Sequence, residues 1–298
     1  MKIFRGEELI KFTIRFPSDM ACYKYLSDIK WNNGFVCQKC GHKKYSEGKK
    51  YQRCCTLCKH IESSTAGTLL HKVKFGIRKA FLIMFEMTAS TKGLSASQVA
   101  KRYGITRKTA WLFMHKVRLG MKSSQSVPIE GIVQVDEFVV GGKENNKPGR
   151  SYDSKKKKVV CAVELSENEK VKRAYAIRIK DYSSKSLSTI FEKHISKIAK
   201  VKTDEWKGYR PLQNDYNITQ IPSGKGKNFK QLHIIIHQIK SWLRTNYSWV
   251  HQDHIDKYVK EYSFRINRSI YKNTIFHKLT ERMVNGTHVG YKQIKIST

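Results

Sequence analysis

The sequence has few acidic residues. Its 298 residues include 24 Asp and Glu against 58 Lys and Arg, which gives a formal net charge of +34. The basic residues occur along the whole chain, and this distribution indicates a polyanionic partner, most simply nucleic acid. The alternative is that an AT-rich genome raises the lysine content. Part of the positive charge would then lie on solvated surface and have no partner.

Long apolar segments are absent as well. The sequence has no run of about 18 apolar residues and no signal-peptide pattern at its N-terminus, so we expect a cytoplasmic, nucleoid-associated protein without a membrane span. In a reducing compartment, the seven cysteines are expected to be metal ligands and not disulfides. The 15 Tyr, 13 Phe and 5 Trp indicate packed cores, which excludes a disordered basic tail.

Four of the cysteines occur in two CxxC pairs, separated by residues 41–54. Paired knuckles at that separation can place four thiolates around one tetrahedral Zn²⁺. The sequence therefore predicts a zinc ribbon over 31–72, after a helical segment over 1–30. The predicted ligands are Cys37, Cys40, Cys55 and Cys58.

Other residues could also serve as zinc ligands. Cys54 could replace Cys55, and His42 or His60 could stand in for a cysteine. In each case the zinc is expected to be structural, because four protein ligands leave no open coordination position for catalysis.

The segment 73–127 has the pattern of two helices joined by a glycine turn. Ser95 with Gln98 three residues later forms a capping box. Gly104 ends the first helix and Thr106 caps the second. This pattern predicts a helix-turn-helix, and the alternative is an ordinary helical hairpin with a charged face. In a helix-turn-helix, the second helix would enter the major groove and present Arg107, Lys108 and Thr109.

An apolar strand predicted at 132–140 is interrupted by two acids, Asp136 and Glu137. A charge within a buried strand is costly unless it is paired or bound to a metal. Another strand, predicted at 201–206, carries Asp204. Two aspartates on strands of a very basic protein predict a Mg²⁺ site for phosphodiester chemistry. The alternative is an edge strand with solvated acids before a glycine turn.

The order of predicted elements indicates a ribonuclease H-like α/β domain over 128–275. Three strands come first, at 132–140, 158–165 and 171–179. The turns between them are expected at 148–149 and 167–169. A helix at 183–198 then precedes the strand that carries Asp204. With a polar tail over 276–298, the chain is expected to be a multidomain α+β protein.

A further predicted helix, at 232–243, has one cationic face. Four residues recur on that face at helical spacing: His233, His237, Lys240 and Arg244. Beside a pair of acids, this face would contact DNA phosphates. A second zinc site formed by the two histidines is the alternative, although no nearby carboxylate or cysteine completes it.

Several motifs occur in an order that carries a family resemblance. They are the cysteine ribbon leading into TAGT, the helix with KTAW and HKVR, then VDEFVVGG, TDEWKGY, HxxxxxxKxWL and EYSFRINR. Together they span roughly residues 15–270. They resemble the zinc-ribbon insertion-sequence transposases of bacteria, the ISXO-type group related to eukaryotic Merlin elements.

The resemblance implies a DDE-type transposase that uses two divalent ions, Mg²⁺ or Mn²⁺. Such an enzyme cuts double-stranded DNA at the element ends and joins the freed 3'-hydroxyl to target DNA. Two ends imply at least a dimer. Asp136 and Asp204 match the first two catalytic acids of the family, so that Asp136 would bridge both ions and Asp204 would bind one.

The third catalytic position is where the sequence departs from the family. Relatives place Glu or Asn there, whereas this chain has Gln238, which offers Mg²⁺ a carbonyl oxygen without a charge. Glu261 is the other candidate. Glu137 and Glu205 each follow a matched aspartate directly, so they are expected to point to the opposite strand face in a supporting role.

Two other functions share these features. A transposase relic that binds DNA without cutting it would explain Gln238. A ribonuclease H-like nuclease or resolvase, acting on RNA hybrids or DNA junctions, would share the two aspartates. The cysteine ribbon and the helix-turn-helix pattern favour sequence-specific binding of duplex DNA over the second of these alternatives.

Overall fold

The computed structural model describes residues 3–6, 8–90, 92–142, 156–247 and 249–296. The turn predicted at 148–149 lies outside these ranges. The chain divides into two compact units. The terminal unit comprises Met1–Met121 with Arg268–Thr298, and the central unit comprises Lys122–Asn267. Within the described ranges, no helix is both long enough and apolar enough to cross a membrane.

Helices and strands are numbered here in chain order. The helices are α1 (Leu9–Arg15), α2 (Asp19–Lys30), α3 (Ile77–Ala89), α4 (Ala96–Tyr103), α5 (Arg107–Gly120), α6 (Ser184–His194), α7 (Lys230–Asn246), α8 (Ile255–Ile266), α9 (Lys272–Asn285) and α10 (Tyr291–Ile296). The strands are β1 (Tyr45–Glu47), β2 (Arg53–Cys55), β3 (Ile61–Glu62), β4 (Ile132–Val140), β5 (Lys157–Leu165), β6 (Val171–Ile179), β7 (Lys200–Thr203) and β8 (Ile218–Gln220). The protein is therefore α+β.

Aromatic side chains form the core of the terminal unit. The ring of Phe12 in α1 lies 4.3 Å from Phe85 in α3 and 5.0 Å from Phe276 in α9, measured between centroids. Tyr25 Oη and His277 Nδ1 are 2.7 Å apart and form a buried hydrogen bond between α2 and α9. Aromatic pairs at such distances add to the free energy of burial.

The structure differs here from the polar tail predicted over 276–298. Residues Lys272–Asn285 form helix α9, and Phe276, Leu279 and Met283 are buried in the terminal unit. These three apolar residues lie at helical spacing on one face. The other residues of the segment are mostly polar, so the apolar pattern is sparse in the sequence and becomes evident once α9 packs.

The capping signals predicted for α4 and α5 are confirmed. The hydroxyl of Ser95 accepts a hydrogen bond from the backbone of Gln98, whose side chain accepts one from the backbone of Ser95. Gly104 follows α4 with φ of 60°, a left-handed conformation that glycine adopts without steric cost. Thr106 accepts from the backbone N–H of Thr109 at the start of α5.

The described strands of the central unit form a mixed sheet in the order β6-β5-β4-β7-β8. β4 is antiparallel to β5 and parallel to β7, so it lies in the middle. One face packs on α6 through residues such as Val133, Val135 and Phe191. The other packs on α7 and α8 through residues such as Phe138 and Ile239.

The parallel pairing of β4 with β7 determines where the two predicted aspartates lie. Val135 of β4 is in register with Thr203 of β7. Each strand continues with an aspartate, Asp136 within β4 and Asp204 directly after β7. Because parallel neighbours lie about 4.8 Å apart, the two aspartates come side by side at the end of β7.

His194 should make folding stability depend on pH. Its ring is buried and stacks on Tyr175 at 4.1 Å between centroids. Burial first, with Lys193 and Lys260 in addition, lowers its pKa from 6.5 to about 4. The unfolded chain therefore binds the extra proton first, and stability falls as pH drops from 6.5 towards 4.

We expect the native protein to lose about 2 kcal/mol of unfolding free energy through this residue between pH 7 and pH 5. Denaturant unfolding at the two pH values measures the loss. His194→Gln, which cannot titrate, should show a smaller loss over the same interval. Equal losses in both proteins would contradict the assignment.

Candidate functional site

Three carboxylates gather at the end of β7. Oxygen atoms of Asp136, Glu137 and Asp204 all lie within 4.8 Å of one another. Like charges at this separation repel strongly in a partly buried setting. Carboxylate oxygens are also the ligands that Mg²⁺ and Mn²⁺ prefer, so the donor set fits a divalent cation of this type.

Asp136 is the member of the carboxylate cluster whose pKa is shifted. Burial first, and the neighbouring Asp204 second, raise the pKa of Asp136 above its ordinary value. The backbone N–H of Glu137 donates to Asp136 Oδ1 at 2.7 Å, and His233 Nε2 lies 3.2 Å from Asp136 Oδ2. These two contacts lower the pKa, but the net effect is a rise. A bound cation would remove the repulsion that causes part of it.

Glu137 is predicted to point to the strand face opposite Asp136, and its contact agrees, because its partner Tyr209 packs in the core on that opposite face. One oxygen of its carboxylate nevertheless lies within 4.8 Å of oxygens of both aspartates. Tyr209 Oη donates to Glu137 Oε2 at 2.7 Å. β7 ends at Thr203, in register with Val135, so Glu137 projects beyond the neighbouring strand.

Tyr209 lies in the core and anchors this arrangement. It is fully buried, and its hydroxyl reaches Glu137 from a 3-10 helix at Lys207–Asn214. Burial first, and then Glu137, raise the pKa of Tyr209 well above its ordinary value, so it stays protonated and donates. A buried donor of this kind fixes one oxygen of Glu137.

The two residues predicted for the third catalytic position lie elsewhere. Gln238 is exposed, and its Oε1 accepts a hydrogen bond from Tyr262 Oη at 2.8 Å. It follows His233 by five residues, which turns its side chain about 140° around α7 from the side that faces Asp136. Glu261 is fully buried in α8, beside Arg265, and is not part of the carboxylate cluster.

The cationic face of α7 lies along β4. Beyond His233, which contacts Asp136, Lys240 Nζ is 5.5 Å from the centroid of the Phe138 ring. Burial first, with Arg244 in addition, lowers the pKa of Lys240, whereas Asp136 raises it. His237 and Arg244 are exposed on the same face. The geometry agrees with the helical spacing read from the sequence.

The four predicted zinc ligands also come together. The Sγ atoms of Cys37 and Cys58 are 3.6 Å apart, as are those of Cys40 and Cys55, and all four lie within 4.8 Å of one another. Around a Zn²⁺ with bonds of about 2.3 Å, tetrahedral sulfur atoms would be about 3.8 Å apart. The cysteines are free, so the cluster fits zinc and not disulfides.

The alternative ligands have other contacts. Cys54 Sγ lies 3.8 Å from the carbonyl of Lys59, outside the cluster. His42 Nε2 is 3.0 Å from Thr56 Oγ1. His42 and His60 do contribute their carbonyl oxygens, which accept from Cys37 N and Cys55 N at 2.9 Å. Both histidines thus shape the cysteine turns through the backbone.

At the start of α5, Arg107 and Lys108 are exposed. Lys108 Nζ lies 4.9 Å from the centroid of the Tyr291 ring. Thr109 is half-buried, and its hydroxyl is 2.9 Å from that of Thr106. The two cations are therefore open to a ligand, while Thr109 takes part in the cap.

Two family models match the chain, one in each unit. The transposase zinc-ribbon domain matches residues 17–61, and the ISXO2-like transposase domain matches residues 128–267. The chain belongs to the zinc-ribbon transposases of the DDE superfamily. Among curated proteins, none matches it significantly.

This membership of the zinc-ribbon transposases confirms the resemblance carried by the sequence motifs. Families of this kind bind DNA, in agreement with the positive charge of the chain. The matched ISXO2-like domain ends at residue 267, where the central unit also ends, and it contains Asp136, Glu137 and Asp204. The matched ribbon domain contains the four clustered cysteines.

Loss of a cluster cysteine should remove zinc from this transposase. We expect the native protein to purify with about one zinc per chain, and Cys37→Ser to lose it because three thiolates hold the ion much more weakly. Cys54→Ser is the matched control, since Cys54 is adjacent to the cluster but outside it. Metal content by mass spectrometry distinguishes them, and equal loss in both variants would argue against this ligand set.

Proposed function

We propose that this chain is an active DNA transposase that cuts at the ends of its insertion sequence and joins the freed 3'-hydroxyl to target DNA. The observation that carries the proposal is the parallel pairing of β4 with β7, which brings Asp136 beside Asp204. Membership of a DDE transposase family adds the chemistry that such a pair performs.

The topology of the central unit supports a ribonuclease H-like domain. Antiparallel β4, β5 and β6 precede α6, and β7 then returns to the other side of β4 as a parallel neighbour. In this order the first strand, β4, is central and carries Asp136. The fourth strand, β7, leads directly to Asp204. The proposed active site therefore lies on the elements that define the sheet.

The clustered oxygens would hold two Mg²⁺ or Mn²⁺ ions, which would supply an activated water or 3'-hydroxyl and stabilise the leaving oxygen. Asp136 has contacts to both of its oxygens and lies close to the other two acids. His233 orients Asp136 Oδ2. Tyr209 orients Glu137, which we propose as the third carboxylate in place of Gln238 or Glu261.

The basic residues of α7 would hold the DNA backbone. Lys240, half-buried against Phe138, would place its charge at a phosphate close to the scissile bond, and exposed Arg244 at a flanking phosphate. His237 lies on the same exposed face. Because these contacts are ionic, we expect binding to weaken steeply as salt concentration rises.

Recognition of element ends would come from the terminal unit. Helices α4 and α5, joined at Gly104, form a proposed helix-turn-helix whose second helix presents Arg107 and Lys108 to the major groove. Thr109 would support the helix cap instead of reading a base. A pair of element ends needs two active sites, so we infer that at least two chains act together.

Cleavage and strand transfer on a labelled duplex that carries the element end test the proposal. With Mg²⁺ or Mn²⁺, Asp204→Asn should lower the cleavage rate about 1,000-fold, as expected for a loss of about 4 kcal/mol of metal-assisted stabilisation. Glu205→Gln is the matched control, because Glu205 is the adjacent acid and is exposed. It should cut at nearly the native rate.

The same assay separates the alternatives. Specific binding without metal-dependent cutting would make the chain a DNA-binding relic. Cutting without any joined product would favour a nuclease or resolvase. The relic was favoured by Gln238, and that residue lies away from the carboxylates in the structure, so its lack of charge no longer argues against activity.

Glu137 and Tyr209 should affect metal affinity, which calorimetric titration with Mn²⁺ measures without any DNA. Glu137→Gln should weaken binding by about 10-fold or more, since a ligand charge is lost. Tyr209→Phe removes the hydrogen bond that positions Glu137. It should weaken Mn²⁺ binding less than Glu137→Gln does, because Tyr209 supports a ligand and is not itself one.

Gln238→Ala is the control for this titration. On the proposed geometry it leaves Mn²⁺ affinity unchanged. Weakening by Gln238→Ala together with native affinity in Glu137→Gln would restore Gln238 as the third ligand and remove Glu137 from the site.

A further inference from the structure

One aromatic side chain of the central unit is exposed beside the candidate active site. Trp249 is 69% exposed, although tryptophan is on average a highly buried residue. Two residues near Trp249 in the chain are packed, one before it and one after it. The ring of Tyr247 lies 4.3 Å from that of Tyr258, and Val250 is buried in the core. The indole is thus exposed although described residues near it in the chain are packed.

The indole carries a cation at its surface. Lys157 Nζ lies 5.8 Å from the centroid of the Trp249 ring, and the ring of His251 meets the indole edge-on at 5.4 Å. A flat ring with an ammonium group beside it combines a stacking surface with a phosphate contact. These are the two elements that proteins use to bind unpaired nucleotides.

The strand register relates this surface to the carboxylates. Asp136, Phe138 and Val140 point to the same face of β4 because side chains alternate along a strand. Val140 is paired with Lys157, so Lys157 lies on that face too. The distance along β4 from Asp136 to Val140 is about 13 Å at about 3.3 Å per residue.

Two lysines lie along the same path. Beyond His233, which contacts Asp136, Lys240 lies over Phe138 and Lys157 reaches Trp249. About 13 Å corresponds to about four steps of a stacked DNA strand at 3.4 Å per step. A strand whose phosphates follow these cations from the carboxylates would therefore arrive at the indole within a few nucleotides.

We propose that Trp249 and Lys157 form a binding site for one unpaired nucleotide of the DNA strand held at the carboxylates. The base stacks on the indole, and Lys157 contacts its phosphate. A base within a duplex has both faces covered by its neighbours, so only an unpaired or extruded base can stack on Trp249. The inference rests on the proposed function, since it places the same strand in the active site.

Binding of two DNA probes tests this site in the full-length protein. One probe is a blunt duplex, and the other is the same duplex with a 3' overhang of five thymidines. The native protein should bind the overhang duplex about 10-fold more tightly, because base stacking on an aromatic ring is worth that much or more. Trp249→Ala should abolish the preference, and Trp249→Phe should keep most of it.

Tyr271→Ala is the matched control, since Tyr271 is another largely exposed aromatic residue, in the terminal unit. It should leave the preference intact. Tryptophan fluorescence gives a second readout. The overhang probe should quench the native protein by stacking, and this quenching should be lost in Trp249→Phe. Circular dichroism confirms that each variant is folded.

Lys157 is tested through salt dependence. Lys157→Ala should lower the slope of log affinity against log salt for the overhang probe by about one, the value for one lost phosphate contact. Lys200→Ala should leave the slope unchanged, because exposed Lys200 begins β7, in register with Ile132 at the opposite end of β4. An equal effect of both variants would overturn the assignment of Lys157.

Three results would overturn the site: equal native affinity for the two probes, an overhang preference that survives in Trp249→Ala, or a change of oligomeric state in Trp249→Ala, which would make the indole a protein contact. Metal-dependent cutting by the native protein is measured in parallel. Cutting without overhang preference would refute the nucleotide site and leave the proposed function standing. Overhang preference without cutting would refute the proposed function and leave the nucleotide site standing.

Discussion

The repulsion between two carboxylates on adjacent parallel strands is the constraint on which the central unit depends. The register of β4 with β7 fixes Asp136 beside Asp204, and burial amplifies the cost of keeping both charged. The surrounding hydrogen bonds offset part of this electrostatic repulsion but do not remove it. His233 and a backbone N–H contact Asp136, and Tyr209 contacts Glu137. An arrangement of this kind is stable and useful when a divalent cation completes it.

Much of the architecture was predictable because its signals are local. Apolar stretches broken by turn residues gave β4 and β6 at their observed bounds, and the capping residues gave the ends of α4 and α5. The paired cysteines gave the four-cysteine cluster, since their spacing already encodes two tight turns. Asp136 and Asp204 could be paired because Asp136 lies in one strand and Asp204 directly follows another, and parallel strands of one sheet bring their ends together.

The parts that sequence reasoning missed depend on contacts far apart in the chain. Glu137 meets Tyr209 across 72 residues, and strand alternation alone does not show that its carboxylate also comes near the two aspartates. Helix α9 acquires its burial from partners near the N-terminus. Gln238 is a different case. The family resemblance suggested it as the third catalytic position, yet the helical phase that groups His233 with Lys240 already turns Gln238 away.

The scarcity of acids gives the carboxylate cluster a particular role in so basic a chain. Basic residues attract a DNA backbone irrespective of its sequence, and this chain has 58 of them. Three of its 24 acids form the carboxylate cluster, which in the proposed function holds the scissile phosphate. Without cations these acids repel the phosphate and oppose the attraction of the α7 face. With cations bound, their charge is neutralised and the same position attracts phosphate. Metal binding and productive placement of DNA should therefore be thermodynamically coupled, because each reduces the electrostatic cost of the other.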